Sequence, residues 1–288
     1  QTLSCDNVPI SLMVNINLLS ELDLAAKLNA SGVGLYRSEF PFLVRNDFPS
    51  ESDQIRIYST LFSKMKGREI TIRTFDIGGD KFLHYFDTGS ETNPELGMRS
   101  IRFALKYPDI MEQQLRAILL AYDRVSKEKY SNVKDFDHED INHEDSEKNR
   151  LRIMFPMISS IDEYRIAKKI LLNCHKKLCH DMEIEKAGSS KNLKMPAVGM
   201  MIELPSIVEL MDELADEVDF FSIGTNDLVQ FMVAADRTNK NVSKYYTPHH
   251  PGVLRAINRI VISAVKAKKE ISVCGEMAKE PAFIPFFI

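Results

Sequence analysis

AVGMMIELPSIVELMDELADEVDFFSIGTNDLVQF, residues 197–231, is the stretch whose reading decides the fold. Two mainly apolar runs, Ala197–Ile202 and Val218–Ile223, are each too short for a buried helix, and neither alternates as a strand with one wet face would. Between them Ile207–Leu214 carries helical spacing. Strand, helix and strand in that order make a parallel β/α unit whose strands are covered on both faces. Each strand also ends in polar residues: Glu203 after the first, Asn226 and Asp227 after the turn that follows the second.

The same alternation extends outward in both directions. Further strands read at SLMVNI (11–16), VGLY (33–36), EITIRTF (69–75), LRIMFPMI (151–158) and ISVCGE (271–276). Helical periodicity covers 20–29, 54–66, 109–126, 161–178, 251–268 and a segment starting near Glu280. Alternation alone fits either an open doubly wound sheet or a closed barrel. Polar residues decide between them: Arg37 with Glu39, Arg73 with Asp76, Glu203, Asn226 with Asp227, and Cys274 stand at the ends of almost every strand. A barrel brings those ends to one mouth, whereas an open sheet would concentrate them at one switch point. The expectation is an α/β fold, a (β/α)8 TIM-type barrel occupying residues 1–288 as one domain, with the eighth strand missing because the chain stops just after the seventh. Charged stretches near 127–149 and 181–194 lack apolar periodicity and read as solvated insertions. The acidic, histidine-bearing run 135–145 reads as one of these surfaces rather than a metal site, since ligands need a rigid frame.

A net charge of -4 and a pI near 6.0 give no general attraction to nucleic acid or to an anionic membrane. An anionic substrate would need a local arginine cluster. Cys5, Cys174, Cys179 and Cys274 are too sparse for a disulfide scaffold and lack zinc-site spacing. A reducing cytoplasm is the expected setting, and no apolar stretch is long enough to cross a bilayer. The first residue is Gln1, so the chain is expected to be part of a longer protein.

Arg37, Arg73, Arg99 and Arg237 follow strands or sit in loops, and planar guanidinium forks suit a ligand that carries both phosphate and carboxylate. Any one of them alone would more often be a surface ion pair. Gly78 and Gly79 read as a turn. No P-loop, dinucleotide fingerprint or nucleophile elbow is present. Glu203 and Asp227, hard oxygen ligands at neighbouring strand ends, suit Mg2+, which takes one or two carboxylates and completes its shell with phosphate oxygens and water. Alone, Asp227 could be a helix cap and Glu203 half of an ion pair. Cys274 could be packing, but beside Gly275 and Glu276 at a strand end its thiol could carry a proton.

Eight blocks, GVGLYRSEF, IRTFDIGGDK, NPELGMRSIR, RIMFPMI, VGMMIELPS, DFFSIGTNDLVQF, AADR and SVCGEMA, together resemble the Enzyme I family of phosphoenolpyruvate-protein phosphotransferases from about Gly32 to Ala278. The resemblance implies a barrel that binds phosphoenolpyruvate (PEP) and Mg2+. It implies that Arg37, Arg73 and Arg237 clamp the phosphate and carboxylate, that Arg99 is a further active-site arginine, and that Asn226 with nearby backbone contacts phosphate. Glu203 and Asp227 become the metal ligands and Cys274 the proton donor. It further implies a kinase-like transferase of a phosphotransferase system, of the sugar-transport or the nitrogen-regulatory branch, with SEFPFLVRNDFPSE (38–51) somewhat more similar to the latter, and a homodimer, with a histidine-containing phosphocarrier protein as eventual partner of the parent enzyme. The family's acceptor histidine lies in a GGxxSH-type motif on another domain, and none of the seven histidines here stands in that context. His249 and His250 read as loop structure or substrate rim. Barrels of pyruvate phosphate dikinase or PEP synthase, or a PEP-sensing dimerisation module without turnover, are the alternatives.

Overall fold

The computed structural model of the chain describes residues 2–78, 91–131, 150–185 and 193–288. A short antiparallel pair, β1 (Thr2–Leu3) and β2 (Pro9–Ile10), comes first. Seven strands follow: β3 (Val14–Ile16), β4 (Gly32–Arg37), β5 (Glu69–Arg73), β6 (Leu151–Phe155), β7 (Ala197–Ile202), β8 (Phe220–Gly224) and β9 (Glu270–Cys274). Their order in the sheet is their order in the chain. Parallel registers with intervening helices make this the α/β fold of the (β/α) barrel type. Among the described residues the main sheet has seven strands, the number legible in the sequence. Every residue of β6 and of β8 is buried, which is why these segments are apolar apart from Arg152 and Ser222 instead of alternating.

The described residues group into two compact units. The N-terminal unit comprises Ser11–Ile153 and Ala167–Pro196. Its helices Glu51–Lys64 and Pro108–Ser131 pack on each other. The first starts where Ser50 Oγ accepts from the Asp53 backbone N–H at 3.1 Å, an N-cap that satisfies a donor the helix itself cannot. Phe62 and Tyr122 meet edge to face across this pair, with ring centroids 5.5 Å apart.

The C-terminal unit comprises Gln1–Ile10, Met154–Ile166 and Ala197–Ile288. Its helix Pro251–Lys266 buries Val253, Ala256, Ile257, Ile260 and Ala264, one stripe at helical spacing. His250 Nδ1 accepts from the Gly252 N–H at 3.1 Å, so this histidine caps the helix.

Several element boundaries differ from the sequence reading. The helix expected over 207–214 is two short helices, Pro205–Val208 and Met211–Ala215, because Leu210 leaves helical dihedrals at φ -111° and ψ 16°. The helices before the two charged stretches run on to Ser131 and Glu185, so residues 127–131 and 181–185 are helical instead of loop. The rest of both stretches, including the acidic run 135–145, lies outside the described residues apart from 193–194, and so does Gly79.

Candidate active site

In the N-terminal unit, Arg37 and Arg73 are register partners at the last positions of β4 and β5. Adjacent parallel strands therefore deliver two guanidinium groups side by side. Arg73 Nη2 donates to Glu39 Oε1 and lies 3.0 Å from Asp76 Oδ2. Asp76 Oδ1 in turn accepts from Arg99 Nη2 at 3.3 Å, and Arg99 Nη1 donates to Glu95. Arg37 Nε stands 4.0 Å from Glu39. Opposite charges thus alternate from Arg37 through Glu39, Arg73 and Asp76 to Arg99. Arg73, Glu39, Asp76 and Arg99 are each at most 4% exposed, while the Arg37 side chain is 39% exposed. Burial without pairing would cost several kcal/mol per charge, so the carboxylates are what allow these arginines to stay inside.

A buried glutamine holds the two strand ends together. Gln114, on helix Pro108–Ser131, accepts from the Phe75 N–H at 3.0 Å and donates to Ser38 Oγ at 2.9 Å and Tyr58 Oη at 3.0 Å. Ser38 Oγ donates to the Arg73 carbonyl at 2.8 Å. Burial pushes the Tyr58 phenol well above its ordinary range, so it stays a neutral member of this network. Arg99 arrives by a different route. Gly78 has φ +99°, and a Cβ there would lie 2.6 Å from the Met98 carbonyl and 2.7 Å from the Arg99 Cα. Only glycine lets the two segments pass so closely, and the Ser100 N–H then donates to the Ile77 carbonyl at 2.6 Å.

In the C-terminal unit the registers pair Met201 with Ser222, Ser222 with Ser272, and Gly224 with Cys274. Strand alternation therefore puts Met201, Ser222 and Ser272 in one layer on one face and Glu203, Gly224 and Cys274 in the next. Glu203 is 2% exposed, and its Oε1 accepts from the Met157 backbone N–H at 2.6 Å. Cys274 Sγ donates to the Ile223 carbonyl at 3.3 Å.

Asn226 and Asp227 occupy the first turn of a helix, Thr225–Val233, that begins directly after β8. The sequence reading had a turn here. Negative charge in a first turn complements the helix dipole, and Asp227 is 6% exposed with Oδ1 4.0 Å from Arg237 Nη1. Ala234, left-handed at φ 51°, ends the helix and turns the chain toward Arg237, whose N–H donates to Gln230 Oε1 at 3.1 Å. Asn226 Oδ1 accepts from the Glu276 N–H at 2.8 Å. Gly275, at φ +98°, is indispensable to this contact: a Cβ would lie 2.2 Å from Thr225 Oγ1. Tyr246, absent from the sequence reading, donates its hydroxyl to the Asn226 carbonyl at 3.2 Å. Burial raises its pKa, Arg237 opposes the rise, and Asp227 and Glu276 add to it.

The structure therefore assembles the sequence candidates as two sets, Arg37, Arg73 and Arg99 in one unit and Glu203, Asn226, Asp227, Arg237 and Cys274 in the other. Glu39, Asp76, Gln114 and Tyr246 complete them. Among the described residues no helix is long and apolar enough to cross a membrane.

A family model described as "PEP-utilising enzyme, PEP-binding domain" matches residues 1–288. The chain is 40% identical over 288 residues to a protein of Priestia megaterium named phosphoenolpyruvate-protein phosphotransferase, and 39% identical over 287 residues to the protein of that name from Bacillus subtilis. Each alignment covers 100% of this chain and 45% of the relative, so the chain spans less than half the length of these curated relatives. A solved HpcH/HpaI aldolase/citrate lyase family protein from Burkholderia cenocepacia shares the fold with a TM-score of 0.51 at 12% identity, covering 96% of this chain and 83% of that one.

Proposed function

The chain belongs to the PEP-utilising enzymes through their PEP-binding domain, and on that premise we propose that it is the donor end of a phosphoenolpyruvate-protein phosphotransferase. It binds PEP, passes the phosphoryl group to a histidine outside this chain and releases pyruvate, and a histidine-containing phosphocarrier protein then receives the group from the parent enzyme. The names of the curated relatives support this branch over the dikinase and synthase barrels. The observation that carries the reading is that one unit holds Glu203, Asn226, Asp227 and Cys274 at or just after the C-terminal ends of β7, β8 and β9, with Arg237 4.0 Å from Asp227. A cytoplasmic setting and homodimerisation through the barrel belong to the same proposal.

Glu203 and Asp227 fit Mg2+ by their chemistry. Both are buried hard-oxygen donors. Mg2+ rarely takes an all-protein cage and leaves positions for substrate phosphate and water. When bound, the ion supplies charge neutralisation to a phosphoryl group in transfer. Arg237 in the C-terminal unit and, in the N-terminal unit, Arg37, Arg73 and Arg99 are the candidate clamps for phosphate and carboxylate, since phosphoryl transfer is mostly positioning and electrostatic stabilisation. The Asn226 amide, oriented by the Glu276 N–H on its oxygen, presents its NH2 to a phosphate oxygen. Cys274 gives its proton to the methylene carbon of the enolate, forming the methyl group of pyruvate.

Two variants separate these roles. Glu203→Ala should abolish Mg2+-dependent PEP binding in a titration, whereas Cys274→Ala should bind PEP normally and fail to protonate. The reverse pattern would overturn the assignments.

A further inference from the structure

Six described residues other than glycine have positive φ: Asn7, Asn29, Ser100, Met157, Ala234 and Lys268. Asparagine is a side chain that visits this region readily. Ala234 and Lys268 close helices, where a left-handed residue is a common end, and Ser100 is the residue before one. Met157 does none of this. It lies between β6 and the helix Ile161–Glu185, at φ 53°, and is 3% exposed. Glycine would take the same backbone at no steric cost. A non-glycine residue persists in such a conformation only where its surroundings over-determine it, and such residues cluster at functional sites.

What the turned backbone reaches is a candidate metal ligand. The Met157 N–H donates to Glu203 Oε1 at 2.6 Å, as short as bonds to a charged acceptor become. Both residues belong to the C-terminal unit. The other carboxylate oxygen, Oε2, lies on the side of Gly224, 2.8 Å from where a Cβ on that residue would be, and Gly224 pairs with Cys274 in the register. One oxygen is therefore tied to backbone while the second is turned toward the next strand. We propose that Met157 is a positioning residue for the metal: its left-handed backbone aims one N–H at Glu203 Oε1 and so fixes the carboxylate toward the layer of Gly224 and Cys274. The inference rests on the reading of Glu203 as a Mg2+ ligand. A hydrogen bond leaves the carboxylate its charge and holds its plane, which is how groups behind a metal ligand raise affinity without touching the ion. The buried Met157 side chain anchors the turn, and the N–H does the aiming.

Mn2+ is the probe for the test, because its unbound form is counted directly by electron paramagnetic resonance. The ion is titrated into the chain with PEP at one fixed concentration, against a chain-free control. Replacing Met157 by its α-hydroxy acid analogue turns the amide N–H into an ester oxygen and keeps the side chain. Mn2+ affinity should then fall about tenfold or more, the scale for losing a partner of a metal ligand. Met157→Leu, close in volume, should bind Mn2+ as wild type does, whereas Met157→Val, whose branched Cβ resists positive φ, should weaken binding as the ester does. A melting scan without metal accompanies each variant. A residue that only packs the core would shift the melting temperature and leave Mn2+ affinity alone. Unchanged or tighter Mn2+ binding in the ester variant would overturn the proposal, and so would equal weakening in Met157→Leu and Met157→Val. No Mn2+ binding by the wild-type chain would overturn the metal reading of Glu203 and the positioning with it.

Discussion

The carboxylate of Glu203 lies directly over Gly224: a methyl group on that glycine would sit 2.8 Å from Glu203 Oε2. The bare Cα is what leaves room for the acid to turn into its layer. Gly224 has φ -87°, a conformation alanine accepts, so Gly224→Ala should fold. Its Cβ must displace the carboxylate or Met201, which is equally close at 2.8 Å. The variant should lose Mg2+-dependent PEP binding by about tenfold or more, the scale on which misplaced groups around a metal act, while its melting temperature moves little. A titration beside a thermal scan separates the two.

Arg73 lies between two buried carboxylates, Glu39 and Asp76. Arg73→Ala would leave both acids short of their partner and should destabilise the chain by about 3 kcal/mol or more in urea unfolding. Arg37→Ala should cost less than about 1 kcal/mol, since its side chain is 39% exposed and 4.0 Å from Glu39. Its effect should appear in PEP affinity instead. Equal stability losses in the two variants would contradict the division between a buried structural charge and an accessible one.

Tyr246 and Gln230 pin the two ends of the segment that carries Arg237. Tyr246→Phe removes only the hydroxyl that reaches the Asn226 carbonyl. Loss of one neutral hydrogen bond, about 1 kcal/mol, should weaken PEP binding several-fold. Unchanged PEP affinity would show that the segment needs no such pin.

Alkaline pH should loosen the fold in a defined window. Burial raises Cys174 from 9.0 to about 11 and lifts Tyr36, Tyr58 and Tyr164 well above 10.0. The unfolded chain then releases these protons first, so the folded state binds more protons and stability falls as pH rises. The Cys174 contribution is complete below 9.0 and is lost as pH climbs through about 11. Urea midpoints should be level below pH 9 and fall steadily to pH 11 (about 2 units on the pH axis). A flat profile would contradict the burial of these groups.

The strands were legible because both faces are buried: β6 and β8 are apolar apart from Arg152 and Ser222. The site residues were legible because charged side chains at the ends of such runs have few structural reasons to be there. The helix Thr225–Val233 was missed because Thr, Asn and Asp at its start are also turn residues, and local chemistry does not separate a turn from a first helical turn. Gln114 and Tyr246 carried no signal at all, since their roles depend on partners 39 and 20 positions away in sequence. Glu39 and Asp76 were visible as strand-end acids, but only the fold shows that they hold the arginines.

The central claim is that this chain builds a PEP site requiring Mg2+, and a calorimetric titration of PEP into the chain tests it most directly. Saturable heat with Mg2+ that disappears with chelator is the predicted result. Heat of the same size in chelator would remove Glu203 and Asp227 from their metal role, and no heat under either condition would contradict the site itself.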